Sequence, residues 1–545
     1  MLNLGESSAP KPARTVPAYV MEYFGAFHDR VADSEIQARL AELTEAFREA
    51  EYVAHQGSFQ HLRERFQQTS MPHAPLGVEK YVDYLAENVL PHSVRTGSPR
   101  FIGHMTSALP AFLEHLEKLM TALNQNVVKV ETAKAMTLLE RQALGMMHRL
   151  VFGESADFYA QHVQSPESTL GILTSGGTLA NTTALWCARN AALAPIRDFA
   201  GVEEEGFAAA LGHYGFDRAV IIGSSNMHYS FEKAAGVLGL GTRNLIRVAI
   251  DERQRVDVAT VRKTVEDCQA SRTLVLAIIG VAGSTDSGSV DDLNALAQIA
   301  HDAGVHFHVD ASWAGPMLFS RQHRGTLSGI EKADSVTIDG HKQLYLPMGL
   351  GILMLRDPSL AKGIEKQARY IIRPGSSDLG RRSLEGSRPA MALFLHAALH
   401  VLGHEGYEFL VNEGVRKARY LAERVANMNE FELMLEPETN IVNYRYVPEK
   451  FREQVACGTL DASANGVINV ANKALQRRQR EAGASFVSRT TLDTTRYGLE
   501  VPITVLRAVI ANPLTTESDI EAILEEQIRT AESTTLTEAR NLRSA

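Results

Sequence analysis

The chain has 545 residues, 45% of them apolar and 22% charged, with 55 Lys and Arg against 64 Asp and Glu for a net charge of −9. This is globular composition with material for a sizeable core, and a mildly acidic chain exerts no global pull on nucleic acid or an anionic membrane surface. Three well-separated cysteines (Cys187, Cys268 and Cys457) exclude a disulfide scaffold and a thiolate metal cluster, no metal is expected, and no apolar run approaches the roughly 20 residues that span a bilayer.

Residues 1–17 are rich in Ser, Pro and Ala and carry no hydrophobic stretch of the secretory type, so a loose arm and a cytoplasmic location are expected. From about 18 to 155 the apolar residues recur at helical spacing, notably over 33–68 and 110–151. From about 168 short apolar runs alternate with amphipathic stretches: 169–175, 218–224, 274–282, 305–310, 335–339 and 351–355. Alternation of this kind predicts an α/β layer architecture with a mainly parallel sheet flanked by helices, whose ligand site lies at the C-terminal ends of the strands. A Gly- and Arg-rich loop (373–389) leads to a helical stretch at 391–410. Strands are expected within 431–446 and 499–511, followed by a helix over 517–532 and frayed residues from 533. This reading divides the chain into an N-terminal arm and helical segment (1–110), a large domain (111–395) and a small α+β domain (396–545).

Four stretches concentrate the chemistry. In GILTSGGTLANTTALWCARN (171–190) an apolar strand runs through Ser175, Gly176 and Gly177 into a helix, whose first N–H groups favour an anion such as phosphate; a glycine turn required only for packing reads the same way. The stretch matches neither a Walker loop nor a GxGxxG fingerprint. His228, in NMHYSFEKAAG, follows the strand at 218–224 and is either a hydrogen-bonded core histidine or a functional one. Ser230 and Lys233 also spell SxxK, but the companion motifs of a β-lactamase-like site are missing. Asp310 ends the strand VHFHVD, where it could be a metal ligand, a helix cap or the partner of a cationic ring nitrogen. Lys342, preceded by His341, sits in a turn between two apolar strands; a lysine so placed is partly desolvated, as a Schiff-base amine requires, or it snorkels to the surface. In this order, a phosphate cradle, a ring-stacking histidine, a strand-end aspartate and a lysine about thirty residues later make up the parts of a pyridoxal 5'-phosphate (PLP) site.

The motifs TSGGTLAN (174–181), HYSFEKAA (228–235), HVDASWAG (308–315) and DGHK (339–342) resemble the group II PLP-dependent amino-acid decarboxylases, which act on glutamate, cysteine sulfinate or aromatic amino acids. The resemblance covers roughly 95–530 and leans to the aspartate 1-decarboxylase branch, which makes β-alanine for pantothenate. It implies the fold type I architecture of the aspartate-aminotransferase type and an intertwined homodimer with active sites at the interface. It assigns Lys342 to PLP attachment, Asp310 to the pyridinium and His228 to the ring face. Ser175, Gly176, Gly177 and His341 go to the phosphate, and Thr285 to the cofactor's vicinity. Tyr370 matches a loop tyrosine that helps protonate the carbanion carbon, and Arg507 matches a substrate-carboxylate arginine.

Two departures bear on substrate. Gly103-His104 stands where glutamate decarboxylases commonly carry Asn-Gln, whereas LNQNVVKVE keeps Asn124 and Asn126. Asp339 stands where relatives often have Asn or Ser, and a charge there opposes a phosphate unless it points away. The expected reaction is α-decarboxylation of a small acidic amino acid, aspartate favoured, with His104, Asn126 and Arg507 as substrate contacts. Glutamate or cysteine sulfinate are the alternative substrates. A PLP-dependent carbon–carbon lyase and a non-catalytic PLP-binding homologue are the alternative classes.

Overall fold

The computed structural model describes Met21 and residues 30–55, 59–368, 373, 375–498 and 502–543. They form two compact units. The first holds the described residues up to Arg95 together with Glu481–Ala484; the second comprises Thr96–Arg480 and the described residues from Ser485 onward. In the first unit the 33–68 stretch is broken into helices Arg30–Glu49 and Phe59–Arg65. Between them the fully buried Val53 donates its N–H to the Gly483 carbonyl at 2.7 Å and accepts from the Arg95 N–H at 2.8 Å, so its backbone is committed outside any helix.

The second unit contains a seven-stranded sheet: β1 (Gly171–Thr174), β2 (Arg218–Ser224), β3 (Leu245–Val248), β4 (Thr273–Val281), β5 (His306–Asp310), β6 (Ser335–Asp339) and β7 (Gly351–Leu355). Their order is β1-β7-β6-β5-β4-β2-β3. Only β7 runs against the rest, pairing antiparallel with both β1 and β6, so six C-terminal strand ends face one way. Ile222, Ile278, Val309 and Ile338 pack on one face of this sheet, and Ile221, Ala277 and Ile279 on the other. Burial on both faces is why these strands read as unbroken apolar runs. β3 is a four-residue edge strand that the sequence reading did not anticipate.

A second, antiparallel sheet has the order β10-β11-β9-β8, with β8 at Phe431–Leu433, β9 at Ile441–Tyr446, β10 at Ser488–Leu492 and β11 at Ile503–Val509. Leu421 and Val425 from helix Gly403–Ala426, and Ile520, Ile523 and Leu524 from the last helix, cover its inner face against Val442, Tyr444 and Leu506. That last helix continues to Arg543 rather than stopping near 532, because no Gly or Pro interrupts 517–543. Among the described residues, no helix is long and apolar enough to cross a membrane and no group of His, Cys, Asp and Glu is arranged to hold a metal ion.

Candidate active site

The loops that follow β1, β2, β4, β5 and β6 close around a cavity of about 410 Å3, within the range for small-ligand sites. Ser175, Gly176, Gly177, His228, Thr285, Asp310, His341 and Lys342 all line it. The sequence-predicted residues spread over 168 positions therefore meet because each follows the C-terminal end of a strand.

β1 leads through Thr174, whose hydroxyl donates to the Gly176 carbonyl at 3.0 Å, directly into helix Gly177–Ala192. The first N–H groups of a helix have no partner within it and carry the positive end of its dipole. The glycine that seats this turn lies on another strand. A Cβ on Gly351, at the start of β7, would stand 2.4 Å from the Gly176 carbonyl carbon and 2.7 Å from its Cα. Gly351→Ala must therefore push the cradle away. We expect PLP binding to weaken at least tenfold with a modest loss of melting temperature, measured by fluorescence titration of the apoenzyme and by differential scanning fluorimetry; unchanged affinity would remove this turn from the binding site.

Asp310 is 7% exposed. Its Oδ1 accepts from the Ser312 N–H at 3.1 Å and the Ser312 hydroxyl at 2.5 Å, and its Oδ2 from the Asn181 amide at 3.0 Å. Burial alone would raise its pKa; the neighbouring Lys342, the Ser312 hydrogen bond and the histidines at 308 and 228 outweigh it and hold Asp310 below the ordinary carboxylate value. Burial lowers the His228 imidazole, an effect that Asp310 only partly offsets. The His228 Nδ1 takes the Ser230 N–H at 3.3 Å. Lys342 follows β6 in a turn, and its Nζ lies 3.0 Å from Asp339 Oδ2. His341 donates through Nδ1–H to the Leu350 carbonyl, 3.1 Å away, and its Nε2 is 3.8 Å from the same Asp339 oxygen. Asp339 does not point away: it lines the cavity, and its buried Oδ1 has no hydrogen-bond partner.

Arg507, on β11, sits one layer behind the wall. Its guanidinium donates to the Thr285 carbonyl, to the Gly103 carbonyl at 3.3 Å and to the Ser488 hydroxyl at 3.1 Å. Among the described residues no carboxylate forms an ion pair with it, and burial lowers its pKa. His104 is exposed, with Nδ1 3.3 Å from the Thr106 hydroxyl. Although part of the residue reaches solvent, its pKa is lowered first by partial desolvation of the ring and then by the charges of Arg507, Lys342 and His341, which places it beside the same cationic cluster. Asn126 does not join the cavity. Its side chain donates to Ser387 at 3.0 Å and accepts from the Val128 N–H at 3.1 Å, beside a separate groove of about 560 Å3. These bonds and one from the Arg388 N–H tie it to the 387–388 loop as well as to its own turn, and it does not line the Lys342 cavity of its own chain. Tyr370 lies outside the described residues.

The model of the pyridoxal-dependent decarboxylase conserved domain matches residues 61–447. The chain belongs to this family. It is 44% identical over 500 residues to the aspartate 1-decarboxylase of Aliivibrio fischeri, covering 91% of each chain. It is 30% identical over 376 residues to the acidic amino acid decarboxylase GADL1 of Mus musculus, covering 68% of this chain and 64% of that one. The crystal structure of mouse CSAD superposes with a TM-score of 0.80 at 24% identity, covering 92% of this chain and 99% of that one. That of Oryza sativa TDC with PLP and tryptamine gives 0.79 at 19% identity, covering 93% and 99%. These structures share the fold, which is fold type I as the motifs implied. The protein is thus a PLP-dependent amino-acid decarboxylase.

The cavity fits the cofactor on chemical grounds. A primary amine, a carboxylate held ionised and a helix N-terminus flanked by Ser175 converge from three sides, as an aldehyde, a ring nitrogen and a phosphate demand. Asn181, Asn226, Ser312 and Trp313 had no assigned role in the sequence reading, although Asn181 or Ser312 touches Asp310 directly and all but Asn181 line the cavity. For Asn181 a signal was present: it lies on the helix that opens with Gly177, one turn past the cradle.

Proposed function

We propose that this enzyme removes the α-carboxylate of aspartate, releasing β-alanine and CO2. The observation that carries the acidic substrate is Arg507: a buried guanidinium satisfied only by neutral acceptors beside Thr285, a cavity residue, is a standing site for an anion. The similarity to an aspartate 1-decarboxylase over 91% of both chains favours aspartate among acidic substrates.

Bound PLP supplies the sink for the electron pair freed when the Cα–carboxylate bond breaks. Lys342 supplies the amine that holds the cofactor's aldehyde carbon. Asp310, ionised, would keep a proton on the ring nitrogen; His228 would cover the ring face; Ser175, Gly176, Gly177 and His341 would hold the phosphate, and Thr285 would border the ring. Arg507 orients a substrate carboxylate, and neutral His104 donates an N–H to the same anion. Tyr370, or His228 in its place, delivers the proton to Cα. A homodimer belongs to this reading, because Asn126 is turned away from its own chain's cavity and would serve the neighbouring copy. The three cysteines, two of them buried, suit a reducing cytoplasm.

Competition among equimolar aspartate, glutamate and cysteine sulfinate, with amine products identified by mass spectrometry, tests the assignment. One methylene in a pocket is worth about 1–3 kcal/mol, or roughly 10–200-fold, so β-alanine is expected to exceed γ-aminobutyrate by at least tenfold. Predominance of γ-aminobutyrate or hypotaurine would move the substrate, and an aldehyde product would overturn decarboxylation.

A further inference from the structure

Behind Asp310 the sheet contains a polar stripe. His306, His308 and Asp310 alternate along β5 and so share one face of the strand. His308 is paired in register with Ser335 at the start of β6. The His306 Nε2 lies 2.7 Å from the Ser335 hydroxyl, and that hydroxyl lies 2.8 Å from the His308 Nδ1. The His308 Nε2 lies 3.0 Å from the Asn181 Oδ1, and the Asn181 Nδ2 lies 3.0 Å from the Asp310 Oδ2 and 3.0 Å from the Ser230 hydroxyl. His308 and Ser335 are fully buried and Asn181 is 1% exposed.

The direction of each bond follows from the last one. An ionised carboxylate only accepts, so Asn181 presents its NH2 to Asp310 and its carbonyl oxygen to His308. His308 must then carry its proton on Nε2. Burial keeps this imidazole neutral, so Nδ1 is an acceptor and the Ser335 hydroxyl donates to it. Ser335 in turn accepts from His306. Every donor in the row points toward Asp310, and aligned hydrogen bonds in a buried medium polarise one another in the same sense. Together with Ser312, the row fills three of the four acceptor positions of Asp310, whose carboxylate still borders the cavity.

We propose that Asn181 and His308 are positioning residues that keep Asp310 ionised and aimed at the ring nitrogen of the bound cofactor, through a row of hydrogen bonds all donating toward its carboxylate. The proposal rests on the reading of Asp310 as the partner of that nitrogen. Neither residue reaches the cofactor; each acts through Asp310. One helix thereby has two duties, offering its N-terminus to the phosphate and, one turn later, Asn181 to Asp310.

The test is the 15N resonance of ring-labelled PLP in the reconstituted holoenzyme, read with the PLP dissociation constant. In Asn181→Ala and His308→Leu the resonance should move from the protonated toward the unprotonated pyridine position, and PLP should bind roughly 10- to 100-fold more weakly, the scale of losing one hydrogen bond to a charged group. His308→Gln, which keeps an N–H toward the Asn181 oxygen, should restore both toward wild type. If His308→Leu does not fold, Ser335→Ala, which removes the donor to Nδ1, should give a smaller shift in the same direction. Wild-type resonance and affinity in the Asn181 and His308 or Ser335 variants, with both altered in Asp310→Asn, would overturn the row's role and leave the reading of Asp310 intact. A wild-type resonance in Asp310→Asn itself would overturn that reading, and the proposal with it.

Discussion

Lys342→Ala is expected to lose both the visible absorbance of covalently held PLP and all measurable decarboxylation. The amine at this position lies at the meeting point of the cavity, three residues past the end of β6 and 3.0 Å from Asp339. Among the described residues no other lysine lines the cavity with it, so none of them offers a neighbouring amine in its place. The variant also has a structural cost that must be separated from the chemical one. Asp339 is 4% exposed, its Oδ1 already lacks a hydrogen-bond partner, and among the described residues removing Lys342 leaves His341, 3.8 Å away, as its one ion-pair partner. A buried carboxylate stripped of its partner costs about 3–5 kcal/mol, so the single variant should melt earlier. The double variant Lys342→Ala with Asp339→Asn removes the stranded charge and should recover much of the melting temperature. The absorbance band should be absent from both. A single variant that keeps the band would place the covalent attachment elsewhere, whatever its stability.

Much of this site was legible in the sequence because its residues follow strand ends, and strand ends are marked by the switch from apolar runs to Gly, Ser and Asp. β2, β6 and β7 occupy the residues expected for them, β4 is shifted by one residue at both ends, and β5 starts one residue later than expected. The two strands not anticipated, β3 and β10, are both sheet edges. An edge strand needs only part of its surface covered, so LIRV carries a charged residue and SRTTL alternates with exposed positions, and neither presents an apolar run. Residues that act from behind were less legible. His308 and Asn181 sit inside the motifs that carried the family resemblance. Their function appears only when the period of two in HFHVD is read as a face, and when the helix from Gly177 is laid across that face. Asn126 was illegible for a different reason. Proximity to an active site in a folded assembly cannot be read from one chain's linear order, and in this chain its hydrogen bonds go to the 387–388 loop and to Val128.

Asp310→Asn is expected to lower kcat by about 10²- to 10⁴-fold with a much smaller change in KM. The carboxylate is held in place by Ser312 and Asn181 rather than by substrate, so an isosteric amide should leave the cavity's shape and the anion contacts of Arg507 unchanged. What it removes is the negative charge opposite the ring nitrogen. Breaking a buried charge pairing by neutralising one member costs about 3–5 kcal/mol. Since each 1.36 kcal/mol is tenfold in rate, that corresponds to roughly 10²–10⁴ if the interaction is made chiefly as charge moves into the ring. Asparagine also brings a conflict of its own. Its NH2 cannot face the Asn181 NH2 without leaving two donors opposed, so it must turn its oxygen to Asn181 and its NH2 toward Ser312, whose N–H is itself a donor. Either orientation strands a buried donor, which costs about 1–3 kcal/mol. A lower melting temperature should therefore accompany the kinetic loss. Steady-state kinetics in saturating PLP separate the two effects: a loss confined to stability, with kcat restored when the cofactor is saturating, would make Asp310 a packing residue and remove it from the chemistry.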